Sequence, residues 1–103
     1  MNIKDVIAIE EVKCDLDNGE DFYESQAFGI GSYFRDSIIS DIESLRLYAG
    51  IHIKRLGYYR MLADKFPYAI YYDIQDSIAI VVAVLDMRKK PSSVRKKLKH
   101  RKR

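Results

Sequence analysis

Residues 78–85, Ile-Ala-Ile-Val-Val-Ala-Val-Leu, form an unbroken apolar run of eight. A membrane-spanning helix needs about 20 apolar residues, so the run is too short for one and no transmembrane segment is expected. It is apolar on both faces of a pleated strand, which places it centrally in a sheet. A chain of 103 residues, 48% hydrophobic, can bury one two-layer core around such a strand but not a second domain. A single domain over 1–98, with 99–103 as a basic tail, is the expected organisation.

The rest of the pattern supplies the layers. Val6-Ile7-Ala8-Ile9 is rich in β-branched residues and reads as a first strand. From Glu10 to about Ser25, Val12, Leu16, Gly19 and Tyr23 recur at helical spacing, with Asp15, Asp17, Glu20 and Asp21 on the other faces. Residues 27–31, Ala-Phe-Gly-Ile-Gly, break that period and predict a turn. A second helix is expected from Ile30 to Ala49 on the stripe Phe34, Ile38, Ile42, Leu45, stopped by Gly50. After Gly50 the period becomes two, predicting strands from Tyr58 through Met61 and Ala63, from Tyr68 to Asp73, and from Ile78 to Asp86. Residues 74–77 are the hairpin turn. Pro91-Ser92-Ser93 starts a short helix through Leu98, beyond which a wholly basic end is expected to be mobile.

Charge is divided sharply. Residues 88–103 hold ten basic side chains and no acid, leaving eight basic and 15 acidic residues in the first 87. An acidic body with a basic end suits phosphates, which release counterions when Lys and Arg bind them, or an acidic protein surface. The N-terminus lacks the basic start and longer apolar run of a secretion signal, so the protein is read as cytoplasmic. Cys14, the single cysteine, is expected to be a buried or half-buried inert side chain, and His52 a loop histidine. No metal-spaced cluster, Gly-rich phosphate loop or Ser-His-Asp set occurs, and no cofactor is implied.

Three strings carry a family likeness: Asp21-Phe22-Tyr23-Glu24 with Gly29-Ile30-Gly31-Ser32-Tyr33-Phe34; Arg60-Met61-Leu62 with Phe66-Pro67-Tyr68-Ala69-Ile70-Tyr71-Tyr72; and 78–86 followed by Arg88-Lys89-Lys90-Pro91. In this order they resemble the RelE/ParE toxin superfamily over about residues 6–98. The resemblance implies an α+β fold: an N-terminal strand, an antiparallel helical hairpin packed on a small antiparallel sheet, and a short basic C-terminal helix or tail. It also implies a toxin silenced by a cognate antitoxin.

The family's branches differ in chemistry. Its ribosome-dependent mRNA endonucleases need a cation to polarise the scissile phosphate and a group to move a proton. Its ParE-like, plasmid-stabilising branch inhibits DNA gyrase by binding. Here Tyr68 stands where the endonucleases usually carry arginine, the last strand ends in Asp86, and no tyrosine follows Tyr72. The resemblance therefore favours a gyrase-binding protein, with an endonuclease acting on ribosome and mRNA, or a degenerate non-toxic relative, as alternatives. Carried over as target- or phosphate-contact candidates are Arg60, Lys65, Tyr68, Asp86, Arg88, Lys89 and Lys90, with Arg88 foremost. Phe34, Ile38, Arg88, Lys96 and Lys97 are the expected antitoxin contacts. Read instead as structure, Tyr68, Tyr71 and Tyr72 are packing residues, and Arg60 has Asp86 or Asp73 as ion-pair partners across the sheet.

Overall fold

In the computed structural model, which describes residues 2–101, the chain runs β1 (Asp5–Ala8), α1 (Glu11–Gln26), α2 (Ile30–Glu43), α3 (Leu45–Tyr48), β2 (Lys54–Arg55), β3 (Tyr58–Leu62), β4 (Tyr68–Gln75), β5 (Ile78–Asp86) and α4 (Pro91–His100). One five-stranded sheet has the order β1-β5-β4-β3-β2, so β5 is interior, as its two-faced apolar pattern requires. β2 to β5 are antiparallel neighbours, but β1 pairs with β5 in parallel, from Asp5↔Ile78 to Ala8↔Val81. The α+β architecture is the expected one, and the sheet is mixed rather than purely antiparallel. The α1–α2 hairpin supplies the long crossover that a parallel pair demands. The two-residue β2 has no alternation long enough to read, and the sequence pattern missed it.

The β4–β5 hairpin closes on Asp76 and Ser77 alone, both with positive φ (53° and 65°), the two-residue geometry that matches strand twist. The turn is thus two residues shorter than expected. Farther along, Tyr71 faces Ala83 while Tyr72 faces Val81, leaving Val82 as a bulge. The bulge puts Val82 and Ala83 on one face and returns Val81 and Val84 to the other. Two cores result. On one side Val12, Leu16, Phe34, Ile38 and Leu45 pack against Ile70, Tyr72, Val81 and Val84. On the other, Leu98 of α4 seals Ala69, Tyr71, Val82 and Leu85. Each large apolar side chain so buried contributes about 1.5–3 kcal/mol.

Helices α1 and α2 approach closely because their contact is made by glycines. A Cβ on Gly19 would lie 2.4 Å from the Phe34 ring, and one on Gly31 would lie 2.6 Å from the Glu20 carbonyl oxygen. Gly31 therefore belongs to the helix crossing and not to the turn, whose left-handed residue is Gly29 (φ 88°). The Glu24 carboxylate accepts the N–H groups of Gly29 and Gly31 at 2.9–3.1 Å, placing an anion at the positive end of α2. The expected helix to Ala49 breaks at Ser44, whose hydroxyl donates to the Asp41 carbonyl at 2.6 Å and competes with the helical ladder. Cys14 is exposed on α1, contrary to the buried position expected.

Two polar contacts lock the periphery. Asp15, expected on a solvent face, is buried: its carboxylate accepts the Val84 N–H at 2.9 Å and takes both arms of the Arg101 guanidinium at 2.8 Å. Arg101 also donates to the Val82 carbonyl at 2.9 Å. The segment beyond Leu98 is thus not free: α4 continues to His100 and Arg101 is anchored, while 102–103 of the expected mobile tail lie outside the described residues. On β4, the Tyr72 hydroxyl accepts the Gly50 N–H at 2.9 Å and is hydrogen-bonded to Nδ1 of His52. His52 is a loop residue, as expected, but a fastened one.

Both contacts have measurable consequences. Arg101→Ala leaves Asp15 as an uncompensated buried charge and should cost about 3–5 kcal/mol in urea unfolding. Burial holds the His52 pKa below its ordinary 6.5, so the folded state binds fewer protons than the unfolded state in that range. Stability is therefore complete above about pH 6.5 and falls as pH drops through the folded pKa. Melting temperature measured from pH 7.5 to 5 should decline, and His52→Gln should flatten the part of that decline specific to this site.

Candidate target-binding surface

β5 ends at Asp86, opposite Tyr68, and the Met87 N–H reaches back to the Pro67 carbonyl at 2.8 Å. This brings Arg88 under the end of α1. Its Nε and Nη2 donate to the two Asp86 oxygens at 2.9 and 2.8 Å, its backbone N–H donates to Asp86 Oδ1 at 2.9 Å, and Nη2 reaches the Tyr23 hydroxyl at 3.3 Å. The guanidinium also lies 5.4 Å from the centre of the Phe22 ring. Arg88 is therefore a paired, half-exposed group, and Asp86 is taken by it instead of by Arg60.

The titration behaviour follows from this packing. Burial raises the Asp86 pKa, but the hydrogen bonds and charge of Arg88 outweigh it, and the carboxyl sits below its ordinary 3.8. The hydrogen bond to Asp86 raises the already high pKa of Arg88. Burial, aided by the Asp86 charge, pushes the Tyr68 hydroxyl up to about 12. The Tyr68 ring packs against Phe34 and Tyr23 at 4.8 and 6.2 Å between centroids, so the packing reading of this tyrosine holds, as it does for buried Tyr71 and Tyr72.

Two clefts flank the start of α4. The first, about 400 Å³, runs between α1 and α4 along the edge of β5 beyond the end of β1; Asn18, Phe22, Val84, Asp86, Lys89 and Lys97 line it. The second, about 180 Å³, lies between the β2–β3 hairpin and α4, where Arg55, Arg60, Tyr71, Met87, Lys89 and Arg95 meet. Of the anticipated contacts, Tyr68, Asp86, Lys89 and Lys97 face the first cleft, and Arg60 and Lys89 the second. Lys65 lines neither cleft and lies 3.8 Å from Asp64. Lys90 serves through its carbonyl, which accepts the Ser93 N–H at 2.9 Å at the start of α4, and Lys96 is exposed on that helix. Phe34 and Ile38 are fully buried beneath the hairpin, so neither is a surface contact for an antitoxin. Arg55 and Arg95 were missed. Arg55 sits on the unread strand β2, and Arg95 differs from its basic neighbours only by its position one turn beyond Pro91.

Among the described residues no group of three or more His, Cys, Asp or Glu side chains could hold a metal, and no helix is long and apolar enough to cross a membrane. No family model matches the chain, and no curated protein matches it. The fold does have a counterpart among solved structures. A chain of the chromosomal ParDE TA system from P. aeruginosa superposes with a TM-score of 0.71, over 82% of this chain and 96% of that one, at 12% identity. The architecture is the RelE/ParE-like α+β fold that the sequence strings implied.

Proposed function

We propose that this chain is the toxin of a toxin–antitoxin pair, held silent by a cognate antitoxin, and that it acts by binding DNA gyrase or a similar topoisomerase rather than by cutting RNA. The toxin class is supported by the likeness to the ParDE TA system. The observation that carries the binding mode is the condition of the groups RNA cleavage would use. Arg88 is closed onto Asp86 by a bidentate pair, and the Tyr68 hydroxyl is held at about 12. A general base works best with a pKa near the working pH, and a phosphate-polarising cation must be free of its own carboxylate. Asp86 has both carboxylate oxygens engaged by Arg88.

The antitoxin contact fits the first cleft. Its floor is apolar at Val84, Leu85 and Val94, and Lys89 and Lys97 stand on its wall, so an amphipathic acidic segment would bury its apolar side chains while its carboxylates reach the lysines. The second reading, a ribosome-dependent endonuclease, draws support from the three arginines gathered in the other cleft.

Purified protein should inhibit gyrase supercoiling and leave mRNA intact on programmed ribosomes. Induction of the gene alone should arrest growth, and co-expression of the neighbouring gene should relieve the arrest. Cleavage with unaffected supercoiling would establish the endonuclease instead. Silence in both assays, with normal growth and soluble protein, would leave a non-toxic relative.

A further inference from the structure

The stretch from Leu47 to Ile53 holds no Asp, Glu, Lys or Arg, in a chain where those residues make up 32%. Its large apolar side chains are left in water: Leu47 is 79% exposed, Ile51 72%, Ile53 68% and Tyr48 52%. Ala49 is tucked into the core among them, and the His52 ring turns in to the Tyr72 hydroxyl. The backbone here is fastened. The Ala49 N–H donates to the Leu45 carbonyl at 3.0 Å, the Gly50 N–H to Tyr72 at 2.9 Å, and the Arg60 N–H to the Ile53 carbonyl at 3.0 Å. The flanking cations are drawn aside, Arg46 onto Glu43 and Asp5 at 2.8 and 3.3 Å, and the Lys54 ammonium onto the Tyr59 ring at 4.8 Å.

We propose that this surface, formed by α3 and the segment leading into β2, is the contact through which two copies of the chain pair about a two-fold axis. The four side chains expose roughly 500 Å², at the upper end of the roughly 300–600 Å² of the largest apolar patch on a monomer. A standard interface buries about 800 Å² per partner, about 60% of it apolar, so the patch supplies the apolar part of one. A backbone already fixed has little conformational entropy to lose on contact. The occupant follows from charge. About a two-fold axis a surface meets itself, so a charged face meets its own sign. α4 and the residues just before it are basic, and α1 carries Asp17, Glu20, Asp21 and Glu24 against one lysine. The stretch from Leu47 to Ile53 faces its own copy without like-charge opposition. It offers no Lys or Arg to an acidic antitoxin segment, whereas the first cleft offers Lys89 and Lys97. None of the four apolar residues lines either cleft, so pairing here and occupation of the clefts are separate events.

Sedimentation equilibrium of the purified chain from about 1 to 100 μM tests it. The chain should dimerise with a Kd of about 10 μM or tighter, changing less than about threefold between about 50 and 500 mM salt, because salt does not screen an apolar contact. Leu47→Glu/Ile51→Glu, at exposed positions, should weaken pairing at least about 30-fold, since each dimer would then hold four carboxylates in its contact. The charge-matched control Phe28→Glu/Leu62→Glu, also at exposed apolar positions, should stay within about threefold of the parent. A parent that is monomeric at the highest concentration would overturn the proposal. So would a dimer that dissociates as salt rises, which would assign association to the acidic body and basic end, or equal losses in the two double variants, which would reduce it to net charge. A monomeric parent whose Leu47→Glu/Ile51→Glu variant no longer copurifies with the product of the neighbouring gene would give the face to the antitoxin instead. If circular dichroism shows that variant unfolded, single Leu47→Ser and Ile51→Ser variants should each weaken pairing about fivefold or more, and unchanged pairing in both would equally overturn it.

Discussion

A carboxylate taken out of water must find donors for its oxygens and a cation for its charge, and Asp15 obtains both from distant parts of the chain. β1 ends opposite Val81, so the outer edge of β5 beyond that point has no strand beside it. Asp15 accepts the Val84 N–H there, and Arg101 donates to the Val82 carbonyl two residues away. The pair caps an open sheet edge that would otherwise be an invitation to aggregate. It also fixes α4, which has Leu98 as its one buried side chain, against a sheet whose other face carries the hairpin. Both clefts share α4 as a wall through Val94, and Lys89 just before the helix lines both, so their shapes follow from this contact.

What could be read in advance was the part of the fold written in local periodicity. The bounds of β5, the start of α2 and the onset of α4 all lie where alternation, glycine or proline signals change. The misreadings share another cause. Asp15 looked like a surface acid because nothing near it in sequence indicates that Arg101 and Val84 will converge on it. Ser44 ends α2 through a hydroxyl–carbonyl hydrogen bond that no apolar stripe records. Phe34 and Ile38 were recognised as apolar-face residues, yet counting them as contact residues overlooked that the sheet already covers that face.

The candidate site was legible in kind but not in membership. A basic segment after β5 was plain from composition, whereas the division of its cations into paired and unpaired depends on tertiary neighbours. Arg88 could have been read more closely: Asp86 lies two residues before it, at a strand end where the chain turns back and brings the two together. Arg55 and Arg95 come from elements far apart in sequence, and only the sheet order, which puts β3 and β2 beyond β4, brings them to one cleft.

The parallel pairing of β1 with β5 also dictates an order of assembly. The β4–β5 hairpin closes through two residues, so its loop-closure entropy is small and it can form on the microsecond scale of isolated hairpins. Asp5 meets Ile78 only after the whole intervening chain has been gathered in, the kind of non-local contact that slows folding. The hairpin is therefore the template and β1 the late arrival. Until β1 docks, residues 78–81 of β5 present an apolar, unpaired edge, and the interval between those two events is when the chain is most exposed to association with other copies or with chaperones.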